Sequence, residues 1–298
     1  MGRTLGRLRR LPEIEYFFPK TVKEAFSLLE RYDGKAKVFA GGTDLLSKMK
    51  RRELAPKYLI DLNGIPDLRL IKYEKEKGLR IGAATPLNEI MESSVVSKHY
   101  PILTEAVSKM ASTQVRNIGT IGGNLCNAVP SADTAPPLIV LGAQLKLISF
   151  QKERMVLVED FFKGPDRTIL NPSELVSEIQ IPPPLSGARG TYLKHTLRRE
   201  MDLAIVGVAV YLALDSKRQI CKDVKIALGA VAPIPLRAKK AEETLRGKAL
   251  DDDLIEGVAR MAAEEAKPID DIRSSAEYRR EMVRVLMKRA FKRSLEMV

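Results

Sequence analysis

Two glycine pairs are the places where this chain is best equipped to hold a negatively charged ligand. Ala40-Gly41-Gly42-Thr43-Asp44 follows Lys37-Val38-Phe39, which reads as a short buried strand, and precedes Leu45, Leu46 and Met49 at helical spacing. A strand, a glycine turn and a helix N-terminus aim free N–H groups and the positive end of the helix dipole at one point, an arrangement that suits an anion. The second pair, Gly122-Gly123, lies in a longer run from Thr113 to Pro137. That run has no clear helical or strand period and is dense in small and polar residues, yet apolar segments flank it. A long irregular stretch in such surroundings is expected to wrap a ligand. Lacking a Cβ, Gly122 and Gly123 let backbone N–H groups approach closely and allow φ > 0. Thr120, Asn124, Ser131 and Asp133 add hydroxyl, amide and carboxylate groups. The run suits a phosphate at the glycines and a ribose at Asp133, and two such turns facing each other would grip a pyrophosphate from both sides. Either pair alone is more often an ordinary tight turn, and neither fits G-x-G-x-x-G or G-K-[ST].

Taken together, Ala40-Gly41-Gly42-Thr43-Asp44-Leu45 and Thr120-Ile121-Gly122-Gly123-Asn124-Leu125 resemble the two flavin-binding signatures of the FAD subunit of molybdenum hydroxylases. That family includes the medium subunit of aerobic carbon monoxide dehydrogenase and the flavin domain of xanthine dehydrogenase. Ser131-Ala132-Asp133 and the stretch Tyr192 to Ala204 are similar to the family as well, and the resemblance runs from about residue 13 to the end.

The resemblance implies an α+β protein: a two-part FAD-binding α/β domain of PCMH type, then a three-stranded antiparallel sheet backed by helices. It implies that Lys37, Val38, Phe39, Ala40, Gly41, Gly42, Thr43, Asp44 and Leu45 run along the pyrophosphate and ribityl chain. Gly119, Thr120, Ile121, Gly122, Gly123 and Asn124 then lie opposite, and Asp133 is the ribose or adenine-side acceptor. Met110, Val115 and Cys126 fall where relatives line the cofactor, Val176 at a flavin-proximal position, and Lys194 beside the isoalloxazine, where a cation stabilises anionic reduced flavin and raises its potential. No residue is assigned as catalytic and none as a metal ligand. The implied partners are a large molybdenum-cofactor subunit and a small [2Fe–2S] subunit, in a heterotrimer or its dimer. Electrons would pass from the clusters to FAD and on to an external acceptor such as NAD or a quinone.

Two other readings stay open at this point. One is a self-sufficient FAD reductase of the same fold, which would need its own substrate domain and a proton donor near flavin N5. The other is a basic nucleic-acid-binding protein, which accounts for the charge but leaves both glycine pairs idle. The net charge is +12, with 50 Lys+Arg against 38 Asp+Glu. Arg3, Arg7, Arg9 and Arg10 cluster at the start, and Arg273 to Arg293 holds eight basic and two acidic residues. Such runs are solvated faces or contacts with an acidic partner; few aromatics interleave with them, which weakens the nucleic-acid reading.

The 298 residues suit two or three compact units. No apolar run reaches spanning length, the N-terminal arginines precede no apolar segment, and Gly6 stands where a myristoylation motif needs Ser or Thr, so a cytoplasmic protein is expected. Cys126 and Cys221 are too few to ligate a cluster, and His99 and His195 have no metal-ligand spacing.

The positioning elements read as follows. A strand at Glu13–Phe18 leads to a helix from the capping box Thr21-Val-Lys-Glu24. A strand at Tyr58–Leu62 comes next, then a hairpin of Leu68–Tyr73 with Leu79–Ala83. One helix is opened by Thr85 as N-cap with Pro86 first, another by Pro101 with Leu103, Ala106, Val107 and Met110 on one face. Ile139–Leu141 and Leu145–Ser149 read as buried strand or helix-end segments, Glu174–Ile181 as a strand. Pro182-Pro183-Pro184 with Ser186-Gly187 marks a linker between a domain at 1–182, divided near residue 55, and one at 187–298. Strands at Gly190–Leu197, Leu203–Leu214 and Ile220–Val231, the last two joined by Asp215-Ser216-Lys217, then precede helices at Ala238–Arg246, Leu254–Ala266 and Ser275–Leu295.

Overall fold

A computed structural model describes residue 11 and residues 13–198, 201–215, 217 and 219–296. The N-terminal arginines, Gly2, Gly6, Arg199, Glu200 and Ser216 lie outside the described residues.

The chain opens with β1 (Glu15–Phe17), α1 (Val22–Arg31), β2 (Ala36–Phe39), α2 (Leu45–Lys50) and β3 (Tyr58–Asp61). β1 and β2 both pair in parallel with β3, in the order β1-β3-β2. Thr21 caps α1 by accepting from the Glu24 N–H at 3.1 Å, and the Glu24 carboxylate accepts from the Lys20 N–H at 2.7 Å, one residue before the usual capping-box partner. Ala25, Phe26 and Leu29 face inward from α1 onto Ile60 and Leu62. β2 is not the buried strand its composition suggested. It is an edge strand, with Lys37 and Val38 exposed and Phe39 half-buried, because one partner strand covers one side only.

The middle of the chain contains β4 (Ile71–Glu74), β5 (Gly78–Gly82), α3 (Leu87–Glu92), α4 (Ser94–His99), α5 (Pro101–Ser108), α6 (Thr113–Ile118), α7 (Ile121–Cys126) and α8 (Ala135–Val140). β6 (Gln144–Ile148), β7 (Glu153–Leu157), β8 (Phe162–Gly164), β9 (Arg167–Thr168) and β10 (Leu175–Ile181) complete it. Five of these strands form an antiparallel sheet, β4-β5-β10-β6-β7, while β8 and β9 make a separate small hairpin.

Two expectations are corrected here. Pro86, not Thr85, precedes α3; Thr85 is fully buried and its hydroxyl bonds both the N–H and the carbonyl of Leu70. The run from Thr113 to Pro137 is not irregular, since it contains α6, α7 and the start of α8. Helices of six residues are too short to show a periodicity, yet side-chain caps define two of them. Ser112 accepts from the Val115 N–H, Thr120 from the Gly123 N–H, and Pro136-Pro137 opens α8 where missing N–H groups cost least.

The last third is β11 (Arg189–His195), β12 (Val206–Leu214), β13 (Cys221–Gly229), a two-residue β14 (Leu236–Arg237), α9 (Lys239–Leu245), α10 (Asp252–Glu265) and α11 (Ala276–Glu296). The antiparallel sheet runs β11-β12-β13-β14, the three expected strands plus a short fourth. Every residue of β12 is buried, and the two faces serve different cores. Val206, Val208, Val210, Leu212 and Leu214 pack with α9, α10 and α11, whereas Ala209 and Tyr211 join the core built by α5, α8 and β10. A sheet covered on both sides explains why Ile205 to Leu214 reads as one apolar run rather than an alternation.

In α11, Val283, Leu286, Met287, Ala290 and Phe291 form one buried stripe at helical spacing. The described residues include no helix long and apolar enough to cross a membrane and no metal-ligand cluster. Phe291 is fully buried, so Phe291→Ala is expected to cost about 3–5 kcal/mol in denaturant unfolding, the usual penalty for emptying an aromatic site.

Candidate cofactor site

The two glycine segments touch. A Cβ added to Gly41 would lie 2.1 Å from the Ile118 carbonyl oxygen and 2.7 Å from the Gly119 Cα, so only glycine allows the strand-to-helix turn to rest on the α6–α7 junction. Thr43 Oγ1 lies 3.7 Å from where a Cβ on Gly119 would sit. Farther along, the Lys48 ammonium on α2 donates to Asn127 at the end of α7 at 3.1 Å, so the two helices are joined again one turn on.

The two segments offer different things. Gly42 has φ +71°, packs on the Phe39 ring and turns the chain into α2. The N–H groups of Gly41, Gly42, Thr43 and Asp44 have no acceptor among the described residues. Four such donors at a helix start are what an anion needs. The second segment has used the backbone donors of Ile121, Gly122 and Gly123. Ile121 N–H donates to the Thr85 carbonyl, Gly122 N–H to the Ala83 carbonyl at 2.9 Å, and Gly123 N–H to Thr120 Oγ1 at 3.1 Å. Neither Gly122 nor Gly123 has φ > 0. Of the two expected walls, the one at Gly41–Asp44 is therefore the richer in free backbone donors. Gly122 serves packing, its missing Cβ making room for Ala83, while a Cβ on Gly123 would meet Thr120 Oγ1 alone.

Gly123 and Cys126 are exposed although Ile121, Gly122 and Leu125 beside them are buried, as residues on the wall of a cleft are. Cys126 is a small residue on that wall with no charged partner to activate its thiol. Asn124 accepts from the Thr134 hydroxyl at 2.6 Å. Val115 is half-buried on α6, Met110 is buried just before it, and Val176 is buried on β10 at a bulge against β6. Two hollows of about 220 Å³ lie elsewhere, one beside Phe26 and Phe150 and the other beside Lys225 and Arg237.

Asp133 and Lys194 meet each other. Their charged atoms are 2.8 Å apart, with side chains only 7% and 5% exposed, so Lys194 is not a surface lysine. The Tyr192 hydroxyl donates to the other Asp133 oxygen at 2.6 Å, and Lys194 also donates to the Lys109 carbonyl at 3.0 Å. Both carboxylate oxygens are thus held by the protein, and Asp133 anchors β11 rather than standing free for a ribose. Burial pushes the Asp133 carboxyl up, the Lys194 ammonium and Tyr192 hydroxyl pull it back, and burial beside Asp133 raises the Tyr192 phenol well above its usual range. Glu105 on α5 completes the tie by accepting from the Tyr192 N–H, from Lys109 and from Arg293 of α11. Tyr192, Lys109 and Glu105 carried no local signal of this, because the partners come from elements far apart in sequence.

N–H groups without a protein acceptor at a glycine turn that rests on a second glycine segment suit a protein that holds a phosphorylated cofactor. Residues 12–184 match the FAD binding domain in molybdopterin dehydrogenase, and residues 191–294 match the CO dehydrogenase flavoprotein C-terminal domain. The chain belongs to the FAD-binding subunits of the molybdenum hydroxylase family. It is 38% identical to the glyceraldehyde dehydrogenase medium chain of Sulfolobus acidocaldarius, over 94% of this chain and 98% of that one. It is 36% identical to the carbon monoxide dehydrogenase medium chain of Hydrogenophaga pseudoflava, over 94% and 96%. Its fold superimposes on a chain of carbon monoxide dehydrogenase from the same organism with a TM-score of 0.92, covering 96% of this chain and 98% of that one. A chain of quinoline 2-oxidoreductase from Pseudomonas putida 86 gives 0.90 at 28% identity, covering 96% and 98%. This chain is thus an FAD-binding oxidoreductase subunit of the medium-chain type.

Removing one partner of a buried ion pair leaves the other charge uncompensated. Asp133→Ala is expected to destabilise the chain by about 3–5 kcal/mol in denaturant unfolding.

Proposed function

We propose that this chain carries electrons from [2Fe–2S] clusters of a small partner subunit, through FAD, to an external acceptor such as NAD or a quinone. The clusters would in turn be reduced from a molybdenum cofactor in a large subunit, the three chains forming a heterotrimer or its dimer in the cytoplasm. Residues 1–182 would be the FAD-binding domain and 187–298 the C-terminal domain, separated at Pro182–Gly187. The observation that carries this reading is the set of N–H groups at Gly41–Asp44 without a protein acceptor, on a turn that rests on Gly119, in a chain of the medium-subunit family.

Bound FAD supplies the electron chemistry, and the protein supplies position and electrostatics. Gly41 to Asp44 donate backbone hydrogen bonds to the pyrophosphate, with α2 directing its positive end the same way. Hydrogen bonds to a charged group contribute about 1.5–3 kcal/mol each, so a few of them reach micromolar affinity, about −8 kcal/mol. Phe39, Val115, Cys126 and Val176 supply walls that exclude water. Lys194 is held by the Asp133 carboxylate and the Lys109 carbonyl, and Tyr192 in turn holds Asp133, so the ammonium has one fixed position and no rotamer to lose on binding.

The test is the visible spectrum of the purified chain after gel filtration with FAD, followed by assembly with its partner chains. Flavin bands that persist, bleach when the small subunit is reduced and return with NAD or a quinone support the reading. A chain that takes up no FAD alone or assembled overturns it. Gly123→Val is expected to lose FAD while keeping its far-ultraviolet circular dichroism, since the new side chain meets only Thr120 before projecting into the cleft. Stoichiometric flavin in that variant would remove Gly123 from the site. Lys194→Met is expected to lower the flavin potential in a dye-referenced redox titration, an unchanged potential counting against a role for this cation.

A further inference from the structure

The parallel ladder between β2 and β3 ends at the pair Phe39 and Asp61. Beyond it β3 curls into a single 3-10 turn, Leu62–Gly64, so its backbone no longer runs beside the glycine segment. One side chain continues the ladder where the backbone stops. Asn63 Nδ2 donates to the Ala40 carbonyl at 2.9 Å and to Asp61 Oδ1 at 2.8 Å. Both partners are acceptors, so the amide nitrogen faces them and the orientation is unambiguous. Asp61 is itself fixed: it is 4% exposed, one oxygen also accepts from the Asn63 N–H at 2.8 Å, and the other accepts from the Tyr16 hydroxyl.

The peptide that Asn63 holds is the one that presents the first free donor. Among the described residues the peptide bonds are trans, so the Ala40 carbonyl and the Gly41 N–H point in opposite directions. With the carbonyl drawn toward Asn63, the Gly41 N–H is turned to the side where it meets no protein acceptor. Nothing intrinsic to the segment keeps it there. Gly41 has no Cβ, so its own φ does not select one orientation of the Ala40–Gly41 plane, and a flipped plane would aim a carbonyl oxygen at an incoming anion.

We propose that Asn63 is a positioning residue for the cofactor's pyrophosphate, acting by locking the Ala40–Gly41 peptide plane, with Asp61 and Tyr16 bracing it. This rests on the reading that Gly41–Asp44 faces the pyrophosphate. Asn63 is exposed, so replacing it opens no cavity in the core.

The experiment uses the full chain stripped of flavin and titrated with FAD, followed by flavin fluorescence, with phosphorus NMR of the bound cofactor. Asn63→Ala is expected to weaken FAD binding about 3- to 10-fold, the range for losing one hydrogen bond's ordering effect. It should also shift the pyrophosphate resonances while leaving the isoalloxazine absorption unchanged, a pattern that general destabilisation does not produce. Asn63→Asp, which keeps the size but turns an acceptor toward the Ala40 carbonyl, is expected to bind FAD more weakly than Asn63→Ala. Both variants binding FAD as the wild type does, with unmoved phosphorus resonances, would overturn the proposal. A wild-type chain that takes up no FAD would instead overturn the cofactor reading beneath it.

Discussion

The contact of Gly41 with Ile118 and Gly119 is the constraint on which the site depends. A strand-to-helix turn from the first sheet and a helix junction from the second part of the chain approach to a distance that no residue with a Cβ tolerates. That approach makes the cleft one site instead of two separate turns. It also explains the division of labour between the walls. The α7 segment docks on the Ala83–Thr85 turn, and docking takes up the Ile121 and Gly122 N–H groups, so the largest set of free donors is at Gly41–Asp44.

A second tie holds the last third of the chain against the rest. β11 is joined to α5 and to the α7–α8 connection through a chain of hydrogen bonds linking Asp133, Tyr192, Lys194, Lys109 and Glu105, of which Asp133, Tyr192 and Lys194 are largely removed from water. A buried charged network of this kind is a poor source of net stability but specifies one arrangement, because any shift leaves a charge unpaired. The apolar complement is β12, whose alternate residues enter two different cores. The sheet therefore does not swing as a separate body; burial on both faces fixes Lys194 relative to the cleft.

The positive charge is distributed with less consequence. Much of the basic character of α11 is answered locally, with Arg284 and Lys288 on Glu256 and Arg293 on Glu105. Bonds from Lys288, Arg284 and Arg260 hold the Glu256 carboxyl down at about 2. Partly exposed pairs of this kind contribute little each to stability.

Much of the architecture was legible from local patterns, because caps, turns and long apolar stripes are local events. Thr21 and Glu24 announce α1, and the triple proline precedes a change of pattern. The six-residue helices α6, α7 and α8 were not legible, since a run of that length has no period and owes its stability to caps and tertiary packing. The glycine pairs by themselves determined where backbone could approach a ligand closely. Only the tertiary structure decided which pair keeps free donors, that Asp133 is spent on Lys194 and Tyr192, and that Asn63 reaches back to Ala40. Those outcomes depend on hydrogen-bond partners supplied from elsewhere in the chain, and local sequence carries no record of which partner will arrive.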